Sequence, residues 1–483
     1  MDSSRELDIP TQLYIGGEYR EAADGGRFEV IDPATERALS SVASATVDDA
    51  RSAVAAAAAA MPAWAALPPR SRAEILRRAF ELMVERKELL ARLITRENGK
   101  ALADARAEIT YAAEFFRWYA EEAVRNIGQV SRAPSSGARI LVQHKPAGVA
   151  VLITPWNFPA AMGTRKIAPA LAAGCAVVMK PASETPLTML ALAPILDEAG
   201  VPAGVVNVLP SRRSGAVVAA MLEDPKVRVV SFTGSTETGR RLLGMSATTV
   251  VNPRMELGGN APFIVLEDAD LTAAVAGAMV AKMRNMGEAC TAANRFYVHE
   301  SLHDAFVQRL ASEMAALRVG NGLEPGVAVG PLVNAETRDK VESLVEDARC
   351  RGARVVTGGE RLPGPGYFYS PTVLADVPDG ALCLTEEIFG PVAPVQRFRA
   401  DEEAIARANA SEFGLVAYVY TKNLSRGLQV CERLECGMVG LNRGVVSDPA
   451  APFGGVKQSG LGREGAHEGL MEFLETQYIS VEW

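Results

Sequence analysis

A thiol, a carboxyl and a side-chain amide stand in three short runs whose residue types suit covalent chemistry on a carbonyl carbon. The thiol is Cys290, in Arg284-Asn285-Met286-Gly287-Glu288-Ala289-Cys290. The carboxyl is Glu256, in Met255-Glu256-Leu257-Gly258-Gly259-Asn260. The amide is Asn157, in Thr154-Pro155-Trp156-Asn157-Phe158-Pro159, between two prolines that stiffen its backbone. In such a set the cysteine is a nucleophile, the glutamate a base and the asparagine a donor to an oxyanion. Each residue alone also has an ordinary explanation. A cysteine packs as a small hydrophobe, an asparagine caps a turn, and a buried glutamate is an ion-pair partner.

Taken together, in this order, the three runs resemble the aldehyde dehydrogenase superfamily. Pro452-Phe453-Gly454-Gly455-Val456-Lys457-Gln458-Ser459-Gly460-Leu461-Gly462-Arg463-Glu464 is similar to its C-terminal signature, and the resemblance covers essentially the whole chain. It implies that the Cys290 thiolate adds to an aldehyde, giving a thiohemiacetal whose oxyanion is held by the Asn157 amide and the Cys290 backbone N–H. Hydride then leaves for a nicotinamide, and Glu256 activates the water that hydrolyses the resulting thioester.

The cofactor residues rest partly on local chemistry. In Phe232-Thr233-Gly234-Ser235-Thr236-Glu237-Thr238-Gly239 a glycine turn follows an apolar strand and feeds a helix. Free N–H groups and the helix dipole make such a turn a site for a pyrophosphate. It is not the G-x-G-x-x-G fingerprint, and a plain strand-to-helix turn stays open. The resemblance assigns Gly234, Ser235 and Gly239 to the dinucleotide, together with Thr154, Pro155 and Trp156. It puts Lys180 on the adenosine ribose, and Glu387 and Phe389, in Glu386-Glu387-Ile388-Phe389-Gly390-Pro391, on the nicotinamide ribose and ring. NAD-preferring members of the superfamily commonly carry a glutamate where this chain has Ser183. A carboxylate there repels a 2′-phosphate, whereas serine donates to it, with Arg212 and Arg213 as added positive charge. NADP is therefore the expected cofactor, with NAD the alternative.

Within the superfamily the closer likeness is to the succinate-semialdehyde dehydrogenase branch. It is carried by Arg165, Arg284 and Ser447, whose counterparts bind the substrate's distal carboxylate. Two guanidinium forks and a hydroxyl suit a carboxylate, although both arginines in structural ion pairs is the competing explanation. The expected reaction is oxidation of succinate semialdehyde to succinate with reduction of NAD(P). Another carboxylate-bearing semialdehyde such as glutarate semialdehyde, or a non-catalytic protein on the same fold, are the alternatives. A CoA-acylating enzyme fits less well, because a water-activating Glu256 favours hydrolysis. Some members of the branch have a regulatory second cysteine two positions after the nucleophile; Ala292 stands there in this chain.

These groups must be positioned by a large scaffold. The 483 residues exceed one ordinary core, and 48% hydrophobic with 22% charged residues is ordinary for a globular protein. A net charge of −8 with no long basic block disfavours nucleic-acid and membrane partners. Cys175, Cys290, Cys350, Cys383, Cys431 and Cys436 show no disulfide or C-x-x-C spacing, which points to a reducing cytoplasm. Met1-Asp2-Ser3-Ser4-Arg5-Glu6 has no apolar core of a signal peptide, and the alanine-rich Ala53 to Leu67 is too short for a span. No metal is expected. His299-Glu300-Ser301-Leu302-His303 fits H-E-x-x-H, but His299 closes a strand and Ser301 reads as the cap of the next helix, so the histidines fall on different elements.

From Val47 to about Val124 the spacing is helical, as in Ile75, Ala79, Leu82 and Met83. Ser131 to Gly137 reads as a polar turn and Ile140-Leu141-Val142 as a strand. Apolar runs at 149–153, 176–179, 205–209 and 229–232 then alternate with helix-sized gaps, as strands of a parallel sheet do. A second series runs from 261–265 through 296–298 and 354–356 to 415–420. The fold expected is α/β: two doubly wound parallel-sheet domains of the aldehyde dehydrogenase type plus a small β oligomerisation element. The boundaries expected are 1–126 with 148–257 for the dinucleotide, 258–469 for catalysis, and 127–147 with 470–483 for assembly. The C-terminal 478–483 alternates like a strand without a local partner. The resemblance implies that it pairs across subunits of a homo-tetramer or homodimer.

Overall fold

A computed structural model describes residues 9–482. Met1–Glu6 and Trp483, which figure in the expectations above, lie outside the described residues.

Four helices open the chain after two short hairpins: α1 (Val47–Ala66), α2 (Pro69–Glu85), α3 (Lys87–Asn98) and α4 (Leu102–Glu122). A capping box starts α1, with Thr46 Oγ1 accepting from the Asp49 N–H and the Asp49 carboxylate accepting in return. α3 ends at Gly99 in the left-handed conformation (φ +95), where a Cβ would press on Pro331 and Pro33. Ala79, Leu82 and Met83 are buried, while Ile75 packs partly buried against the same core. Among the described residues no single helix is long and apolar enough to cross a membrane.

The first large sheet has eight strands in the spatial order 18–20, 13–15, 206–208, 177–180, 149–153, 227–233, 252–256, 460–461. Its five central strands are parallel, and four of them, all but 252–256, are buried and rich in the Val, Ile, Ala and Met that suit burial on both faces. α5 (Ala161–Ala173) and α6 (Leu187–Ala199) follow strands 149–153 and 177–180, and the chain then returns past 149–153 to lay down 227–233. α7 (Ser214–Leu222) precedes that strand and α8 (Thr236–Thr249) follows it. The strand order thus reverses between Ile153 and Phe232, which are register partners. Ligands of open α/β sheets gather at the carboxyl ends on either side of such a point.

The second sheet has seven strands, with 293–299 at its centre and 261–265 next to it, between 293–299 and 416–420, all three parallel. Because 261–265 follows Glu256 directly, the amino end of this sheet faces the carboxyl end of the first. A third sheet, outside both, joins Gln129–Arg132, Arg139–Pro146 and Leu474–Val481 in antiparallel pairing. The chain is therefore of the α/β class.

Three local expectations change. Ser131 and Arg132 belong to a strand, whose four exposed residues give no apolar alternation to read. His299, not Ser301, caps the helix Glu300–Ala315; its ring nitrogen accepts from the Ser301 N–H. His303 lies inside that helix, so the two histidines do sit on different elements. The C-terminal strand finds a partner within its own chain, pairing residue for residue with Arg139–Pro146.

Candidate active site

The reversal point brings the expected residues together. The turn after Ile153 carries Pro155, Trp156 and Asn157, and the turn after Thr233 carries Gly234 and Ser235. All of these line one cleft of about 540 Å³ with Cys290, Glu387 and Phe389. Ser235 caps α8, its hydroxyl accepting from the Thr238 N–H, which leaves the earlier first-turn amides without helical partners. Thr233 Oγ1, buried on the same cleft, has no hydrogen-bond partner. Gly234 has no room for a side chain, since a Cβ would lie 2.4 Å from Phe232 Cζ. Unpaired donors, an open helix terminus and a cleft of this size fit a dinucleotide.

Other expected cofactor residues stand behind this lining. Thr154 donates its N–H to the Lys180 carbonyl at 3.3 Å. Lys180 is buried, which lowers its pKa to about 8, and its ammonium donates to the Pro181 carbonyl at 3.0 Å. Ser183 donates to Glu184 Oε2 at 3.2 Å, and that carboxylate lines the cleft. Gly239 lies within α8, where a Cβ would come 2.5 Å from Leu257. Arg213 is ion-paired with Asp24 at 2.7 Å and Arg212 stacks on Phe28 at 5.4 Å; neither lines the cleft. Glu387 accepts from the Gly259 N–H at 3.1 Å, and burial raises its pKa to about 7. The Phe389 ring meets Trp156 edge to face at 5.3 Å.

Glu256 ends strand 252–256, paired with Thr233 on one side and Gly460 on the other. Both of its carboxylate oxygens are buried without a hydrogen-bond partner. Burial first, then the Glu464 carboxylate, raises its pKa to about 8, against the opposing pull of Arg165 and Lys166. Ser459 fixes the following backbone, donating to the Gly258 carbonyl at 2.7 Å while accepting the Leu257 N–H on its own carbonyl at 2.9 Å. The C-terminal signature is thus the brace of the glutamate run.

Cys290 follows three residues in the left-handed region: Asn285 (φ +52), Met286 (φ +58) and Gly287 (φ +78). Such backbone persists only where its surroundings enforce it. Asp104 accepts the Asn285 N–H at 3.1 Å, and the Asn285 amide donates to the carbonyls of Asn157 at 2.9 Å and Glu288 at 2.8 Å. Burial, with the Glu256 carboxylate next, holds the Cys290 thiol well above its ordinary pKa, and Arg165 and Arg284 pull it down. The Asn157 amide donates to the Glu288 carbonyl at 3.1 Å, which leaves its second N–H for another acceptor.

Sequence reasoning missed the residues that hold this turn. Lys100 and Glu108 form a fully buried ion pair at 2.6 Å. Lys100 also donates to the Asn157 carbonyl at 2.6 Å, and Glu108 accepts the N–H groups of Ala160 and Ala161 at the start of α5. Such fully buried charges persist when paired and hydrogen-bonded, as these are. Asp104 and Glu108, both on α4, were visible as acids in a helix, but nothing in their spacing marked them as partners of this turn.

Arg284 donates to Ser447 Oγ at 3.2 Å and stacks on Phe158 at 4.9 Å. Arg165 is 1% exposed, lies 3.2 Å from Glu464 as an ion pair, and stacks on Phe453 at 4.1 Å. Both arginines lie close enough to Cys290 to act on its thiol. The structural ion-pair explanation therefore applies in part to Arg165; Arg284 keeps a neutral partner.

A family model described as the aldehyde dehydrogenase family matches residues 19–479. A succinate-semialdehyde dehydrogenase of Paenarthrobacter nicotinovorans is 56% identical over 443 residues, which is 92% of this chain and 98% of that protein. A glutarate-semialdehyde dehydrogenase of Pseudomonas aeruginosa is 48% identical over 468 residues, 97% of each. The crystal structure of an E. coli NADP dependent enzyme superposes with a TM-score of 0.97 at 48% identity, covering 98% of both chains.

Proposed function

The chain belongs to the aldehyde dehydrogenase family, and on that premise we propose that it oxidises succinate semialdehyde to succinate with reduction of NADP, or of NAD. The observation that carries the substrate is Arg284 beside Ser447 at 3.2 Å, with Arg165 as a second cation, the charges of both arginines acting on the Cys290 thiol. Cationic and hydroxyl donors at the distal end of a cysteine site suit an aldehyde with a carboxylate tail.

In this reading Cys290 adds to the aldehyde carbon, and its proton leaves toward the Glu256 carboxylate. The new oxyanion takes the free Asn157 N–H and the Cys290 backbone N–H. A bound nicotinamide nucleotide supplies the hydride acceptor; Gly234, Ser235 and the first turn of α8 would hold its phosphates, Lys180 and Ser183 its adenosine end, Glu387 and Phe389 its nicotinamide end. Loss of hydride leaves a thioester on Cys290. Once Glu256 has passed that first proton to solvent, it takes a proton from the water that attacks this thioester and returns it to the departing sulfur, which releases the acid and the thiol.

The residues at 127–147 and 470–483 would serve assembly, beside a dinucleotide-binding part (1–126 with 148–257) and a catalytic part (258–469). Exposed Ile127 and Val130, with Tyr478 and Ile479, favour a homo-tetramer or homodimer through this third sheet. Six free cysteines favour the cytoplasm, and the net charge of −8 argues against nucleic acid or membranes as partners.

The test is turnover of succinate semialdehyde, glutarate semialdehyde and butanal with each cofactor. The expected order puts succinate semialdehyde first and butanal far behind. The relative from Pseudomonas aeruginosa favours the longer semialdehyde as the second reading, and a higher kcat/KM for glutarate semialdehyde would select it.

A further inference from the structure

Arg165 is too deeply buried to be the first group that a tail carboxylate meets. The half-buried side chain beside it is Tyr111, on α4. Arg165 Nη2 donates to Tyr111 Oη at 3.1 Å, so the phenol oxygen is an acceptor in that contact. Its own O–H must then point to something else, and no second partner is found for it among the described residues. The ring is fixed on two sides: Phe115 meets it edge to face at 4.9 Å, and the Arg284 guanidinium lies 5.9 Å from its centroid. Tyr111 therefore stands between the two arginines, close to Cys290, with one unused donor.

We propose that Tyr111 is a specificity-determining residue whose O–H donates to the distal carboxylate of the substrate, alongside Arg284 and Ser447, while Arg165 acts through it. This rests on the reading that the substrate carries such a tail. A donor already bonded to a cation gives its own proton more readily, because charge withdrawn from the oxygen polarises the O–H bond. The arrangement brings the positive charge of Arg165 to bear on the carboxylate without removing that arginine from Glu464. Arg165 is then a positioning residue, and Tyr111, Arg284 and Ser447 are the groups in contact.

The test is Tyr111→Phe, which keeps the ring, its contact with Phe115 and its place under Arg284. A hydrogen bond to a charged group corresponds to roughly a 10- to 100-fold effect. The expected result is a loss of that size in kcat/KM for succinate semialdehyde, carried mainly by KM, with a far smaller change for butanal. Inhibition by succinate should weaken in parallel, since the product keeps the tail carboxylate. A KM and a succinate inhibition constant both unmoved would overturn the proposal while wild-type preference for the semialdehyde leaves the substrate reading in place. Equal losses on both aldehydes would overturn it as well, by assigning the hydroxyl to packing alone. Wild-type protein that turns over butanal as well as the semialdehyde would remove the tail reading itself, and this proposal with it.

Discussion

The side-chain amide of Asn285 donates to the backbone carbonyl of Asn157 at 2.9 Å, tying the loop before Cys290 to the turn that carries the oxyanion donor. Asn285 is fully buried with φ at +52, a conformation asparagine tolerates better than most residues. The oxyanion turn is held from the other side by Lys100 on the same carbonyl. Nucleophile and oxyanion donor are therefore set relative to each other by backbone contacts, before any ligand arrives.

Asn285→Ala should lower kcat by about 10- to 100-fold, because a misplacement of about 1 Å at reacting groups costs on that scale. Cofactor affinity should change little, since the Asn285 amide bonds only to carbonyls at the thiol end of the cleft. Stopped-flow measurement of reduced cofactor formation and a separate binding titration check both halves. An unchanged kcat would show that the loop holds its shape without this amide.

The raised pKa of Glu256 sets a pH dependence. A base works only when deprotonated, and a carboxyl with a pKa of about 8 is mostly protonated at neutral pH. Hydrolysis of the thioester should therefore speed up as pH rises and level off above about 8. Glu256→Gln should abolish this rise and give a burst of reduced cofactor followed by slow turnover. Cys290→Ala should give no burst at all. A flat pH profile of deacylation in the unmodified protein would remove Glu256 from this role.

Much of this was open to sequence reasoning, for an identifiable reason. Four of the five central strands of the first sheet are buried on both faces, so their Val, Ile, Ala and Met runs stand out from the helices between them. Cys290, Asn157 and Glu387 sit in runs that resemble those of the aldehyde dehydrogenase superfamily, and that resemblance, more than each residue alone, marks them. Lys100 was different: a lysine just after a helix-ending glycine looks like an exposed cation near a helix terminus. Its bond to the Asn157 carbonyl joins residues far apart in sequence, and no local pattern encodes it. The C-terminal strand shows the same limit. Its alternation was visible, but its pairing with Arg139–Pro146 depends on how both ends of the chain pass the sheets.

Ser183→Glu should move preference from NADP toward NAD. It adds a carboxylate next to Glu184, which already lines the cleft, and two acids would repel a 2′-phosphate strongly. The ratio of kcat/KM for the two cofactors is the readout. A wild-type protein that already strongly prefers NAD would refute the role given to Ser183.

Tyr478→Lys, on a strand residue 58% exposed, should weaken self-association without unfolding the chain. A charge in the middle of an apolar contact between copies is poorly tolerated, whereas at a free surface it is harmless. Light scattering at micromolar concentration should show a tetramer or dimer for the wild type and a smaller species for the variant. A monomeric wild type would end the assembly proposal.

Arg284 bears most directly on the substrate. Its hydrogen-bond partner is the neutral Ser447 and its faces rest on aromatic rings; the buried Asp104 carboxyl feels its charge, but no salt bridge to a carboxylate is found for it among the described residues. Arg284→Ala would leave a substrate carboxylate poorly paired in a partly desolvated pocket, at a cost of roughly 2–5 kcal/mol. The loss should appear in kcat/KM for succinate semialdehyde and be much smaller for butanal, which has no charge to strand. Arg165→Ala should behave differently, because it also removes one of the two cations paired with Glu464, leaving Lys166 alone on that carboxylate, and so lowers stability in a thermal melt. Equal losses for both aldehydes in Arg284→Ala would make that arginine structural too, and the choice of a semialdehyde would then lose its physical basis.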